Sequence, residues 1–194
     1  MKYFLILIGF VILITSCNDQ PKNHSTNQEK NIITINTNDN ISIDSILKIQ
    51  IKKYLTAFNG GDPETAISYC YPDMFVWMKQ KYPKEYSIEA VKEVFRESIR
   101  KMRKTTEERN LTYYFDIGEI TNRIENGENK LFTVVVSIVA KKKFNEIKMG
   151  DEIIAISNDY GKNWKFIQKD PESAPQILKM KYSDDIVNQI MRKN

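Results

Sequence analysis

Apolar side chains recur at helical spacing through the first half of the chain and at strand spacing through the second. From Ser42 onward, Ile43, Ile46, Leu47, Tyr54, Leu55 and Phe58 form one helical stripe, which stops at Asn59-Gly60-Gly61. Asp62 then caps a second helix, with Pro63 at its first position and Glu64 beside the positive end of its dipole. Its inner face is Ala66, Ile67, Cys70 and Tyr71, and Pro72 ends it. Asp73 to Tyr82 is ambiguous, because Met74-Phe75-Val76-Trp77-Met78 fits a short strand or a helical turn, and Pro83 closes it. Ser87 caps a third helix to Lys104, with Ile88, Val91, Val94, Phe95, Ile99 and Met102 on its apolar face.

From Leu111 the period changes from 3.6 to 2. Leu111, Tyr113, Phe115 and Ile117 alternate with Thr112, Tyr114 and Asp116. A turn signal at Asn126-Gly127-Glu128-Asn129 leads to strands at Leu131–Phe144 and Glu146–Asn158. A second turn at Asp159-Tyr160-Gly161-Lys162-Asn163 precedes a last strand, Trp164–Gln168. Hairpin links make the sheet antiparallel. Pro171 and Pro175 break the chain, and Ser183 caps a short C-terminal helix carrying Ile186, Val187, Ile190 and Met191. Three helices, then four strands, then a small helix is an α+β order. A sheet curling around a helix would hide the apolar faces of both.

The first residues follow another logic. Met1-Lys2, an apolar run from Tyr3 to Ile14, and Thr15-Ser16-Cys17 make a charged region, a hydrophobic region and a small-residue cleavage site. The run is too short for ~30 Å of hydrocarbon, which needs roughly 20 residues. Ile14-Thr15-Ser16-Cys17 resembles the lipobox of bacterial lipoproteins, which implies cleavage before Cys17 and a diacylglycerol on its thiol. The expected division is a signal peptide over 1–16, a tether over 17–41 and one α+β domain over 42–194. Asn18 to Asn40 is too polar to order itself and reads as a flexible tether. Its patch Ile32-Ile33-Thr34-Ile35 reads equally as a docked strand or as sticky linker. The expected location is the cell envelope, outside the cytoplasm, with the lipid on Cys17 as membrane partner.

Charge and composition then exclude functions. The 29 Lys+Arg against 25 Asp+Glu give a net charge of +4, too small and too dispersed for a nucleic-acid footprint. The one histidine, His24, lies in the tether, so the domain lacks Ser/His and Cys/His pairs and the commonest zinc ligand. Cys-x-x-Cys, phosphate-loop and calcium-loop motifs are missing, and neither a metal nor a cofactor is expected. Once Cys17 is lipidated, Cys70 has no partner and reads as a buried structural thiol.

The helix-then-strand order, with Tyr54-Leu55-Thr56-Ala57-Phe58-Asn59-Gly60-Gly61-Asp62 and the close Tyr69-Cys70-Tyr71-Pro72-Asp73, resembles the nuclear transport factor 2-like superfamily over Ser42 to Lys169. The resemblance implies a cone: a curved sheet around a long first helix, pairing as a homodimer through the open sheet face. Tyr54 matches the tyrosine that stabilises an oxyanion in ketosteroid isomerase. The carboxylate base that isomerase needs has no counterpart in Phe75-Val76-Trp77-Met78, and Asp73 comes too early.

The candidates divide accordingly. Tyr54 is an oxyanion donor or a core tyrosine with its hydroxyl at the rim. Asp116, an acid among aromatics, is a base if it faces inward and solvated if alternation holds. Tyr54, Phe58, Tyr69, Phe75, Trp77, Met78, Tyr113 and Phe115 either line an apolar pocket or fill it. Lys141-Lys142-Lys143 is an anion site or a guard against edge-to-edge aggregation. The expected function is that of an anchored lipoprotein whose domain binds a small apolar ligand or a partner protein without catalysis. The alternative is an isomerase- or dehydratase-like enzyme using Tyr54 and a strand carboxylate such as Asp116.

Overall fold

The computed structural model describes residues 42–82, 87–143 and 145–192. Cys17, the tether and its Ile32–Ile35 patch lie outside the described residues, as do Pro83 and Phe144. The elements are α1 (Ile43–Gly60), α2 (Pro63–Tyr69), α3 (Pro72–Lys81), α4 (Ile88–Glu108), β1 (Thr112–Asn126), β2 (Asn129–Lys142), β3 (Asn145–Ser157), β4 (Lys165–Gln168), α5 (Ala174–Leu178) and α6 (Asp184–Met191). The fold is α+β, with helices packed against a four-strand antiparallel sheet of order β1-β2-β3-β4.

Local chemistry sets the helix ends. The Ser42 hydroxyl accepts from the Ser45 amide at 3.2 Å, and Gly61 ends α1 in the left-handed region at φ 78°. The Asp62 carboxylate accepts from the Thr65 amide at 3.1 Å, and Ser87 does the same for Ala90 at 3.1 Å. The last helix before the sheet runs past Lys104 to Glu108. Arg103–Glu107 and Lys104–Glu108 pairs, four residues apart, support that extra turn. Arg96 joins α4 to α2 through Glu64 at 2.6 Å and also holds Glu89 and Glu93.

Two helices differ from the sequence expectation. Asp73 to Tyr82 lies almost wholly in helix α3, so four helices precede the sheet rather than three. Pro72 both follows α2 and opens α3, where its missing amide costs nothing. The mixed signal has a packing origin. Phe75 and Met78 pack against α4, whereas Trp77 packs against the C-terminal helices, so apolar residues are needed on two sides. The second difference is α5, with Pro175 at its start. Before it, the Asp170 carboxylate accepts from the Ser173 amide at 2.7 Å and the Glu172 amide at 3.2 Å.

Strand alternation sorts the sheet into two faces. On the inner face Ile117 sits opposite Val136 and Val136 opposite Asp151, while Val134, Ile153 and Gln168 form the next row. Phe132, Val134, Ala155, Trp164 and Phe166 meet Leu47, Ile51 and Leu55 of α1 there. On the outer face Leu131, Ile154, Ile156 and Ile167 are covered by Ala174, Ile177, Leu178, Val187 and Ile190 of α5 and α6. Thr133 adds a hydroxyl bond to the Ile190 carbonyl at 3.0 Å. The sheet therefore has helices on both faces near β4. Farther along, the outer face is exposed at Thr112, Tyr114, Asp116, Lys141 and Lys148.

Candidate functional site: an apolar cavity with one carboxylate

A cavity of about 100 Å³ lies between the inner face of the sheet and the helices. Helix α1 contributes Tyr54, Leu55, Phe58 and Asn59, and the α2–α3 junction contributes Cys70 and Met74. Helix α4 adds Phe95 and Met102, and the strands add Val136, Ile138, Met149, Asp151, Ile153 and Gln168 among others. The wall is mostly apolar because inner-face positions alternate with solvated ones along each strand. Three methionines in the wall give it an adaptable shape.

The Tyr54 hydroxyl and the Cys70 thiol lie on the helical side of the cavity, and both hold their protons at neutral pH. Burial beside the Cys70 thiol raises the Tyr54 hydroxyl pKa well above its ordinary value. Burial likewise pushes the Cys70 thiol up to about 12, so it stays protonated at neutral pH. Its Sγ donates to the Ala66 carbonyl at 3.4 Å. The Tyr54 ring packs against Phe166, Phe58 and Tyr69, with centroids 5.3, 6.2 and 6.4 Å away.

Asp151 is the one acid in the cavity wall. Its Oδ1 accepts from the Glu152 amide at 2.8 Å, and its Oδ2 accepts from Gln168 Nε2 at 2.6 Å. Desolvation dominates and raises its pKa despite those bonds, with Glu152 and Asp170 adding repulsion. Unfolding returns the carboxyl to its ordinary value of about 3.9. The folded state therefore binds the proton more tightly, and ionisation costs stability as pH rises past the unfolded pKa. Asp151→Asn should be more stable than the parent at pH 7, by up to about 1 kcal/mol, because the group is half-buried and hydrogen-bonded. The gain should vanish near pH 3. Urea unfolding at the two pH values measures both, and a less stable variant at pH 7 would show that the carboxylate is net stabilising.

Of the pocket residues expected from the sequence, Tyr54, Phe58 and Tyr113 line the cavity. Phe75, Trp77 and Met78 do not. Phe75 meets Phe95 edge-on in the helical core, Met78 joins that core, and Trp77 donates its indole N–H to Gln176 at 3.3 Å. Tyr69 stacks on Phe166, and Phe115 packs against the α1 core. Asp116 is on the outer face, 66% exposed and 3.4 Å from Lys148, so it is not a partner for the inward Tyr54. Alternation from Tyr113 and Phe115 put it there. The sequence reading missed Asp151, although Met149, Asp151, Ile153 and Ala155 share one parity on β3. That parity was the available signal. It could not show which face of β3 the helices cover.

Among the described residues no group of three His, Cys, Asp or Glu is placed to hold a metal ion, and no helix is long and apolar enough to cross a membrane. No family model and no curated protein matches this chain.

Proposed function

We propose that this domain is a binding module for a small apolar molecule, held at the bacterial envelope by a lipid on Cys17. The cavity carries this reading. An apolar cavity of about 150 Å³ holds benzene, and this one, about 100 Å³ and partly open to solvent, is walled by methionines that can give way. Helices followed by a four-strand antiparallel sheet are in keeping with a nuclear transport factor 2-like cone.

The test is thermal unfolding with and without toluene. At ten times Kd the ligand adds about 1.4 kcal/mol, a rise of roughly 3–5 °C. Ile138→Trp, which fills the cavity, should abolish the rise. An unchanged melting temperature in the parent, or an equal rise in both proteins, would refute ligand binding there. The anchor is tested separately: Cys17→Ala should move the protein from the membrane pellet to the soluble fraction, and continued pelleting would refute lipidation.

A proton-transfer enzyme is the second reading, favoured by Asp151, an acid that lines the same cavity as Tyr54 and whose pKa desolvation raises. It requires turnover of an enolisable substrate that falls at least about 100-fold in Asp151→Asn.

A further inference from the structure

We infer that the cavity recognises an apolar molecule bearing one protonated amine, with the Asp151 carboxylate as partner of the cation. The inference rests on reading the cavity as a ligand site. Asp151 stands on the inner face of β3, directly opposite Val136, in a wall otherwise made largely of methionines, aromatics and aliphatics. Asp151 is half-buried, and a carboxylate drawn away from water is stabilised by a paired cation. No described lysine or arginine makes an ion pair with Asp151, although the ion pairs of this domain include two with lysines nearly shielded from solvent: Lys130 with Glu125, and Lys169 with Glu152. The neighbouring Glu152 already holds Lys169 at 3.1 Å, so the chain spends its nearby cation elsewhere.

The two bonds Asp151 does make leave capacity. An ionised carboxylate offers about four acceptor positions, and the Glu152 amide and Gln168 occupy two. Those donors orient the carboxylate without neutralising it. An ammonium group entering the cavity would supply the missing charge, while an aryl or alkyl body would meet Phe58, Phe95, Met74, Met102 and Met149. A ligand carboxylate would instead face the Asp151 carboxylate, a like charge with no ion-pair partner among the described residues.

Benzylamine, toluene and benzoate share a ring and differ in charge. Binding of each to the full chain in phospholipid nanodiscs is measured by equilibrium dialysis, with empty nanodiscs as the blank. Benzylamine should bind tighter than toluene by on the order of tenfold or more, as a charged hydrogen bond allows, and benzoate weakest. Asp151→Asn should reduce benzylamine to the level of toluene without weakening toluene. Gln168→Leu, which frees Oδ2, should tighten benzylamine alone, and it carries the test if Asp151→Asn fails to fold. Toluene bound as well as benzylamine, or an amine preference surviving in Asp151→Asn, overturns the amine assignment and leaves apolar binding standing. Failure of all three to bind overturns both.

Discussion

Trp164→Ala should lower the stability of the folded domain by about 3–5 kcal/mol, the largest loss expected from a single truncation here. The indole is among the largest fully buried side chains, 1% exposed, and packs against Phe132 with ring centroids 5.0 Å apart. Its Nε1–H donates to the Gly161 carbonyl at 2.9 Å. Truncation therefore opens a cavity and strands a buried carbonyl. It also loosens the start of β4, where the Trp164 amide donates to Gln50 of α1 at 2.9 Å. Trp164→Phe keeps most of the packing and loses the hydrogen bond, so roughly 1–2 kcal/mol is expected. Urea unfolding followed by circular dichroism separates the two. A loss below about 1 kcal/mol for the alanine variant would show that the surrounding core collapses into the space.

Gly161→Ala should cost about 2–3 kcal/mol, from backbone strain and steric clash together. Gly161 has φ +85°, and an added Cβ would lie 2.8 Å from Ile43 Cγ2 and 3.4 Å from Trp164 Cζ2. The turn has little freedom to yield. The Asp159 carboxylate accepts from the amides of Lys162 and Asn163 at 3.1 and 2.9 Å, and the Gly161 amide donates to Ser157 Oγ at 3.0 Å. Gln50 ties the same turn to α1 by accepting the Trp164 amide and donating to the Lys162 carbonyl at 2.8 Å. Gly127 is the control. It too has a positive φ, +58°, but nothing lies within 4 Å of an added Cβ. Gly127→Ala should therefore cost only about 1 kcal/mol, from backbone strain alone. Equal losses in the two variants would mean that Ile43 moves aside without penalty.

Much of the fold can be traced to short-range chemistry. Ser42, Asp62 and Ser87 cap helices because their side chains reach an amide three residues on. Two of the three hairpin turns fall where glycine admits positive φ, at Gly127 and Gly161, whereas between β2 and β3 Lys143 takes φ 49°. Alternation correctly separated Tyr113 and Phe115 from Asp116, because strand geometry alone dictates it. Elements that answer to more than one neighbour were harder to read. Helix α3 looked ambiguous because it is wedged between α4 and the C-terminal helices, which erases the one-sided pattern. Helix α5 was hidden by Pro171 and Pro175, read as breaks although Pro175 occupies a first-turn position that proline suits.

The candidate site shows the same division. Tyr54, Phe58 and Tyr113, which the sequence leaves as lining or filling, border the cavity because each sits on an apolar stripe that faces the core. Phe75 and Trp77 are equally apolar, yet they fill space between helices instead of lining the cavity. Asp151 was overlooked because a lone acid in a strand is usually solvated. Helices covering the inner face turn it into a desolvated carboxylate, and Gln168 reaches it only because β4 pairs with β3.

Readable from the chain alone were the helix-then-strand order, the capped starts at Ser42, Asp62 and Ser87, the turns at Gly127 and Gly161, and the parity of β1. All of these depend on contacts within a few residues. Tertiary structure alone decided that four helices precede the sheet, that both sheet faces are covered near β4, and that Asp151 rather than Asp116 meets the cavity. Those outcomes depend on which distant surfaces meet, and hence on where water is excluded.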